Sequence, residues 1–145
     1  MESRVLKIIL ATFIFAILSQ AVHSLGTFWE MEFYQDPQYF SVWSKLMMPK
    51  AGSPPLSFYG FSLLFSLING FIFTLIYNLY FSKIPTTLLK KGIVFGIVAF
   101  LFWGLGSFLE TVLIINLPIS LLFSWLVQSL AICLGGALIV ARIFR

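Results

Sequence analysis

The sequence predicts an all-α fold, a transmembrane four-helix bundle with a short interfacial amphipathic helix in the first outer loop. Three observations lead to this fold class: an extreme apolar composition, four apolar segments long enough to span a bilayer, and prolines between those segments. Of the 145 residues, 60% are hydrophobic and 10% are charged, and the mean hydropathy is +1.02. Because soluble domains carry about 25% charged residues, this composition excludes an ordinary soluble protein.

The four predicted spans are separated by prolines. A hydrocarbon core of about 30 Å requires roughly 20 apolar residues in a helix. The segments that meet this requirement are 5–23, 58–81, 92–111 and 119–141. All six prolines lie between these segments, where proline stops a helix because it lacks an amide donor and clashes with the preceding turn. We therefore expect a single integral membrane domain over residues 1–145.

The first span has a second interpretation, as a secretory signal peptide. Arg4 and Lys7 precede an apolar stretch, and the small residues Ser19 and Ala21 resemble a cleavage site after Ala21. We expect instead that the segment is retained as a membrane span. The two interpretations differ in whether the segment remains part of the bundle.

The basic residues predict the orientation of the bundle. Seven of the nine lie on one side of the four-span arrangement, whereas Lys45 and Lys50 lie on the other. The seven are Arg4, Lys7, Lys83, Lys90, Lys91, Arg142 and Arg145. The positive-inside rule then places both termini and the 82–91 loop in the cytoplasm, with the protein in the inner membrane of a cell. Since the basic residues are spread over three edges, we expect lipid rather than nucleic acid as the partner.

Residues 24–57 form the one long segment outside the predicted spans. Asp36 and Pro37 have the pattern of an N-cap followed by proline at the first helical position. Apolar residues then recur at helical spacing, namely Tyr39, Val42, Trp43, Leu46 and Met47. The pattern predicts an amphipathic helix at about 37–48 that lies on the outer membrane surface or on the bundle. A lid over an outward-facing pocket and a docking surface for another subunit are the functional alternatives.

Four polar side chains form the candidate polar site: His23, Asn69, Glu110 and Gln128. Asn69 and Gln128 lie near the middle of their spans, where an unpaired amide is costly, so both should face protein and could bond to each other. Glu110 lies at the outer end of the third span, level with His23. We predict that these two side chains lie within contact or one water of each other, a loop lysine or bulk water being the alternative partner of Glu110.

No catalytic chemistry is indicated by the sequence. The sequence offers no phosphate-binding glycine loop, no metal-ligand set and no nucleophile with its base. We therefore expect that the protein is not an enzyme and binds no cofactor or metal. The sequence favours a non-enzymatic accessory or structural subunit of a membrane assembly, with a further copy or another membrane protein as its partner. The alternative is a small oligomeric transporter or channel, with a polar path near the four residues of the candidate site.

The second half of the chain carries a pattern of glycine, proline and tryptophan residues. Its parts are Lys-Gly-Ile-Val-Phe-Gly at 91–96, Asn-Leu-Pro-Ile-Ser at 116–120, Trp125 and Gly135-Gly136. This arrangement, over roughly residues 56–145, resembles a broad group of small uncharacterised prokaryotic four-span membrane proteins. The resemblance implies a four-helix fold and no established activity, and no site residue can be transferred from it.

Overall fold

The computed structural model describes residues 2–50 and 53–145, and within these ranges it contains helices and turns but no strands. The α-helices are α1 (Glu2–Gln35), α2 (Leu56–Ile76), α3 (Leu88–Ala99), α4 (Gly106–Ile114) and α5 (Ile119–Ile143). A 3-10 turn, Pro37–Val42, follows α1, and π-helical turns cover Tyr77–Phe81 and Phe100–Leu105. The second of these turns joins α3 to α4 in one continuous rod.

Four helical rods in the described part of the chain are long and apolar enough to cross a membrane. They are Ser3–Gln35, Leu56–Phe81, Leu88–Ile114 and Ile119–Ile143. The predicted fold class, an all-α transmembrane four-helix bundle, is therefore confirmed. The protein is a multi-pass helical membrane protein by the length and composition of its helices.

The first helix is much longer than the predicted span of 5–23. α1 has 34 residues, which at 1.5 Å per residue is about 51 Å and well beyond the roughly 30 Å of a bilayer core. No proline interrupts residues 24–35, and the Thr27 hydroxyl donates to the His23 carbonyl at 2.9 Å inside the continuing helix. The helix ends only at Asp36, whose extended backbone and following proline start a new turn.

The predicted interfacial helix at 37–48 is shorter than expected. The Asp36 side chain accepts a hydrogen bond from the Gln38 amide at 2.9 Å, so the expected N-cap is present. It caps a 3-10 turn that ends at Val42, because Trp43 takes an extended backbone conformation. That change buries the indole of Trp43 in a small core with Met48 of the same segment. The segment consequently folds onto the bundle.

The helices pack in the order α2, α1, α5 and then α3 with α4. α1 and α5 run antiparallel, since Lys7 Nζ donates to the Arg145 carbonyl at 3.3 Å near one end and His23 lies against Gln128 further along. We call the end that holds residues 82–87 the terminal end, and the end that holds residues 36–55 the loop end. The two halves of the bundle are packed differently.

The terminal half has a continuous aromatic core. The Phe73 ring lies 4.7 Å from that of Phe15 and 4.5 Å from that of Phe95, and these contacts join α1, α2 and α3. The buried residues of this core are Ala11, Phe15, Phe73, Tyr77, Phe95, Ile132, Ala137, Val140 and Ala141. Gly96 permits the close approach of α3 to α5, because a Cβ at this position would lie 3.0 Å from the Cys133 carbonyl oxygen.

Candidate functional site

The loop half of the bundle contains a cavity of about 1090 Å³, which we call the main cavity. α1 and α5 border it on one side, and α2 and α4 contribute facing walls. The α2 wall is formed by Phe58, Tyr59 and Ser62, and the α4 wall by Ser107, Phe108 and Thr111. Trp43, Met47 and Met48 contribute from the segment after α1. The volume is slightly above the range of about 300–1,000 Å³ that is typical of small-molecule sites.

A second cavity of about 350 Å³ continues from the main cavity towards the terminal half. The two share wall residues, which are His23, Phe58, Ser62, Ser107 and Ser129. Asn69 and Cys133 line only the smaller one. The polar residues therefore follow a path from the loop end towards the middle of the bundle.

A buried carboxylate, Glu30 of α1, lies at the wall of the main cavity. The side chain is only 2% exposed. The Tyr34 hydroxyl donates to Glu30 Oε2 at 2.8 Å, and Gln128 Nε2 donates to Glu30 Oε1. Trp125 Nε1 in turn donates to the Tyr34 hydroxyl at 3.3 Å. These donors are all neutral, and no lysine, arginine or histidine in the described ranges forms an ion pair with Glu30.

The Gln128 carboxamide connects this carboxylate to His23. Its Oε1 lies 3.0 Å from His23 Nδ1, while its Nε2 also donates to the Ser124 hydroxyl at 3.3 Å. A carbonyl oxygen can only accept, so in this orientation of the amide the Nδ1 atom of His23 carries the proton. The imidazole is exposed and borders both cavities, which leaves Nε2 as the atom available to a ligand.

The antiparallel arrangement of α1 and α5 explains how these side chains meet. Side chains on a helix lean towards its N-terminus, so Glu30 on α1 and Gln128 on α5 lean towards each other. Gly26, one turn before Glu30, provides the space, because a methyl group there would overlap the Gln128 carboxamide. The Gln128 carboxamide thus occupies the space that a side chain at position 26 would fill, and the network depends on the glycine there.

A second polar contact joins α1 to α2 beside the main cavity. Gln20 Nε2 donates to the hydroxyls of Ser62 and Ser66, at 2.9 and 2.7 Å. The Ser62 hydroxyl also lies 3.3 Å from Gln20 Oε1. Small residues in α2 therefore serve as hydrogen-bond partners in addition to allowing close packing.

Aromatic side chains surround the carboxylate end of the main cavity. The ring of Trp43 lies 5.0 Å from that of Tyr34 and 6.4 Å from that of Trp125, and all three residues line the cavity. Trp43 is 9% exposed, and its indole Nε1 is buried without a hydrogen-bond partner. A buried donor without an acceptor is costly, so the burial of this indole rests on its apolar contacts.

The structure brings two of the four predicted site residues together. His23 contacts Gln128, whereas Asn69 lines the smaller cavity and does not bond to Gln128, whose partners are His23, Glu30 and Ser124. Glu110 is exposed and lines neither cavity, and no ion pair joins it to His23 in the described ranges. His23 lies against Gln128 and Gly104 lies against Ser129, so Glu110, six residues beyond Gly104, is about 9 Å nearer the loop end than His23. Ser107 and Thr111 of the same helix line the main cavity, and Glu110 does not.

Glu30 and Tyr34 are the site residues that the sequence-based prediction missed. The prediction ended the first span at His23 and assigned the polar residues that follow to a loop. If the first helix is continued to residue 35, the sequence does indicate this site. His23, Gly26, Glu30 and Tyr34 then follow one another at spacings of three or four residues and share one helical face.

The chemistry of the site suits binding. Its components are one buried carboxyl group, one oriented imidazole, and aromatic and apolar walls. Within the described ranges, no group of three histidine, cysteine, aspartate or glutamate side chains is placed to hold a metal ion. No known protein family, curated protein or solved structure matches the chain. The function proposed below consequently rests on the geometry of the site.

Proposed function

We propose that the protein binds an amphiphilic small molecule in the main cavity and acts as a non-enzymatic membrane transporter or binding protein. The observation that carries the proposal is the hydrogen-bonded pair of buried Glu30 and Gln128, extended by His23, at the wall of a largely apolar cavity. Ionisable groups within membrane proteins are costly to bury and commonly mark ligand or ion sites. Apolar walls with a few convergent polar groups are typical of small-molecule pockets.

An accessory or structural subunit is the second candidate. The main cavity lies between α2 and α4, and a helix of a membrane-protein partner could occupy this position. In that case Glu30 would contribute to an interface between subunits. Native mass spectrometry of the complex extracted in mild detergent distinguishes the two: a stable second protein supports the subunit, and a small bound molecule supports the cavity ligand.

We further propose that the terminal end faces the cytoplasm, with the protein in the inner membrane of a cell. Seven basic residues lie at the terminal end or next to it, and only Lys45 and Lys50 belong to the loop end. The positive-inside rule supports this orientation. The main cavity would then be accessible from the outer half of the bilayer.

Ligand binding is tested by filling the main cavity. Ser107→Trp introduces a large ring at a position that borders both cavities, whereas Leu109→Trp introduces the same ring at an exposed position of α4 that lines neither. The proteins are released from membranes in mild detergent, and bound small molecules are identified by native mass spectrometry. We expect a bound amphiphile in the wild type and in Leu109→Trp, and its loss in Ser107→Trp.

Two results would contradict the proposal. One is a wild-type protein that carries no small molecule and takes up none from added amphiphiles, whether neutral, such as diacylglycerol, or charged. The other is equal retention by Ser107→Trp and Leu109→Trp, which would place the molecule on the lipid-facing surface. A stable complex with a different protein, in which the cavity holds no small molecule, would support the accessory subunit instead.

A further inference from the structure

We infer that the ligand of the main cavity is a lipophilic organic cation, an inference that rests on the proposed function. Two carboxylates, Glu30 and Asp36, line this cavity. None of the nine lysines and arginines lines it, although the structure describes all nine. The wall therefore selects by charge: it attracts a cation and repels an anion.

Within the described ranges, neither carboxylate forms an ion pair with a lysine, arginine or histidine. Glu30 accepts hydrogen bonds from Tyr34 and Gln128, and Asp36 accepts one from the Gln38 amide, all of them neutral donors. Among the described residues, His23 is the one titratable base at the cavity wall, and Gln128 separates it from Glu30. Charge interactions are stronger in a poorly solvated cavity than in water, so a cationic ligand would gain most next to Glu30.

The walls fit an organic cation with an apolar body. Aromatic residues of the wall are Tyr34, Phe40, Trp43, Phe58, Tyr59, Phe108 and Trp125. Tryptophan and tyrosine faces attract quaternary and other organic cations through the ring quadrupole. Trp43 contributes a nearly buried ring to this wall, and within the described residues its Nε1 has no hydrogen-bond partner.

An inorganic cation fits the site less well. Calcium takes six to eight oxygen ligands, and magnesium an octahedral set of oxygens. Within the described ranges, no three acidic, histidine or cysteine side chains converge to supply such a set. The volume of about 1090 Å³ is also far larger than a single ion needs.

The inference is tested with two ions of nearly the same shape and opposite charge, tetraphenylphosphonium and tetraphenylborate. Each is titrated into the purified full-length protein in neutral detergent by equilibrium dialysis, and protein-free micelles provide the blank. We expect the wild type to bind the phosphonium at least about tenfold more tightly than the borate. Glu30→Gln should weaken phosphonium binding by at least about tenfold, since it keeps the side-chain shape and removes the charge.

Glu32→Gln is the matched control, because Glu32 lies on the same helix, is exposed and does not line the cavity. The Glu32→Gln protein should bind the phosphonium with the same affinity as the wild type. Equal wild-type affinities for the two ions, or unchanged phosphonium affinity in a folded Glu30→Gln, would overturn the inference. The wild-type comparison requires no variant and remains decisive if Glu30→Gln does not fold.

The outcomes also separate this inference from the proposed function. If Ser107→Trp removes a bound neutral amphiphile and the wild type does not prefer the phosphonium, the cavity binds a ligand but not a cation. If neither ion nor any amphiphile binds, both the inference and the proposed function fail. If the phosphonium binds equally well to Ser107→Trp, its site lies outside the main cavity and the inference fails.

Discussion

Gln128 is the residue on which the polar network depends. Its amide nitrogen donates to Glu30, and its amide oxygen faces His23, so one side chain pairs groups from two turns of α1. The side chain is 7% exposed. A buried amide of this kind can be replaced only at the cost of leaving its partners unpaired.

Gln128→Leu should therefore lower the free energy of unfolding by about 1–3 kcal/mol, because Glu30 Oε1 loses its donor inside the bundle. Asn69→Leu is the comparison. Asn69 lines the smaller cavity and makes no side-chain hydrogen bond within the described residues, so its replacement should change stability by less than about 0.5 kcal/mol. Unfolding by a denaturing detergent in mixed micelles, followed by circular dichroism, measures both.

An equal loss of stability in the two variants would contradict the difference in their hydrogen bonding. It would instead fit the bond between Asn69 and Gln128 that was considered from the sequence.

At the scale of the elements, the twelve residues of α1 beyond the predicted span determine the character of the site. They carry Gly26, Glu30 and Tyr34 along the side of α5. The segment after α1 then turns back and covers the same region, with Trp43 and Met48 buried against Leu121. A helix end and a folded segment therefore complete a cavity that the spans alone would leave open.

Trp43→Ala should release this segment from the bundle. Removing a buried tryptophan typically costs about 3–5 kcal/mol, and here the loss falls on the docking of residues 43–50. Trypsin should then cleave after Lys45 with little delay, at a rate well above that of the wild type. Limited proteolysis in detergent, read by mass spectrometry of the fragments, measures the rates.

Trp29→Ala is the control for this experiment, since Trp29 is 83% exposed and belongs to α1 outside the buried cluster. It should be cleaved at the wild-type rate. Unchanged cleavage in Trp43→Ala would show that the segment is held by other contacts.

At the scale of the whole molecule, the two halves of the bundle differ in how densely they are packed. The terminal half is closed by phenylalanines of α1, α2 and α3 whose rings pack at tilted angles. The loop half holds the main cavity and its buried carboxylate. Solid packing at one end gives the helices a rigid base from which the other end can present a site.

The orientation of this asymmetric molecule is tested by labelling single cysteines in a Cys133→Ala background. Ser53→Cys, at the loop end, should react with an impermeant thiol reagent added outside intact cells. Thr86→Cys, at the terminal end, should react only after the membrane is permeabilised. The reverse pattern would place the cavity on the cytoplasmic side and leave the bundle itself unchanged.

The physics of the bilayer explains which parts of the fold could be predicted from the sequence. The apolar composition requires burial in lipid, and each crossing requires about 20 apolar residues as a helix. Prolines separate the crossings, and Asp36 with Pro37 marks the end of a helix whatever its length. These rules act locally along the chain, so the sequence by itself determined the four helices and the N-cap at Asp36.

Only the tertiary structure decided where the polar side chains point. Hydropathy placed Glu30 in a loop, whereas packing of α1 along α5 extended the helix and buried the carboxylate against Gln128. The long α1 likewise leaves His23 close to the level of Gly104 in the third rod, about 9 Å along the bundle from Glu110, although the two were expected at one level. Contacts between helices depend on crossing, rotation and register, which arise when whole faces pack together and cannot be obtained from any one segment.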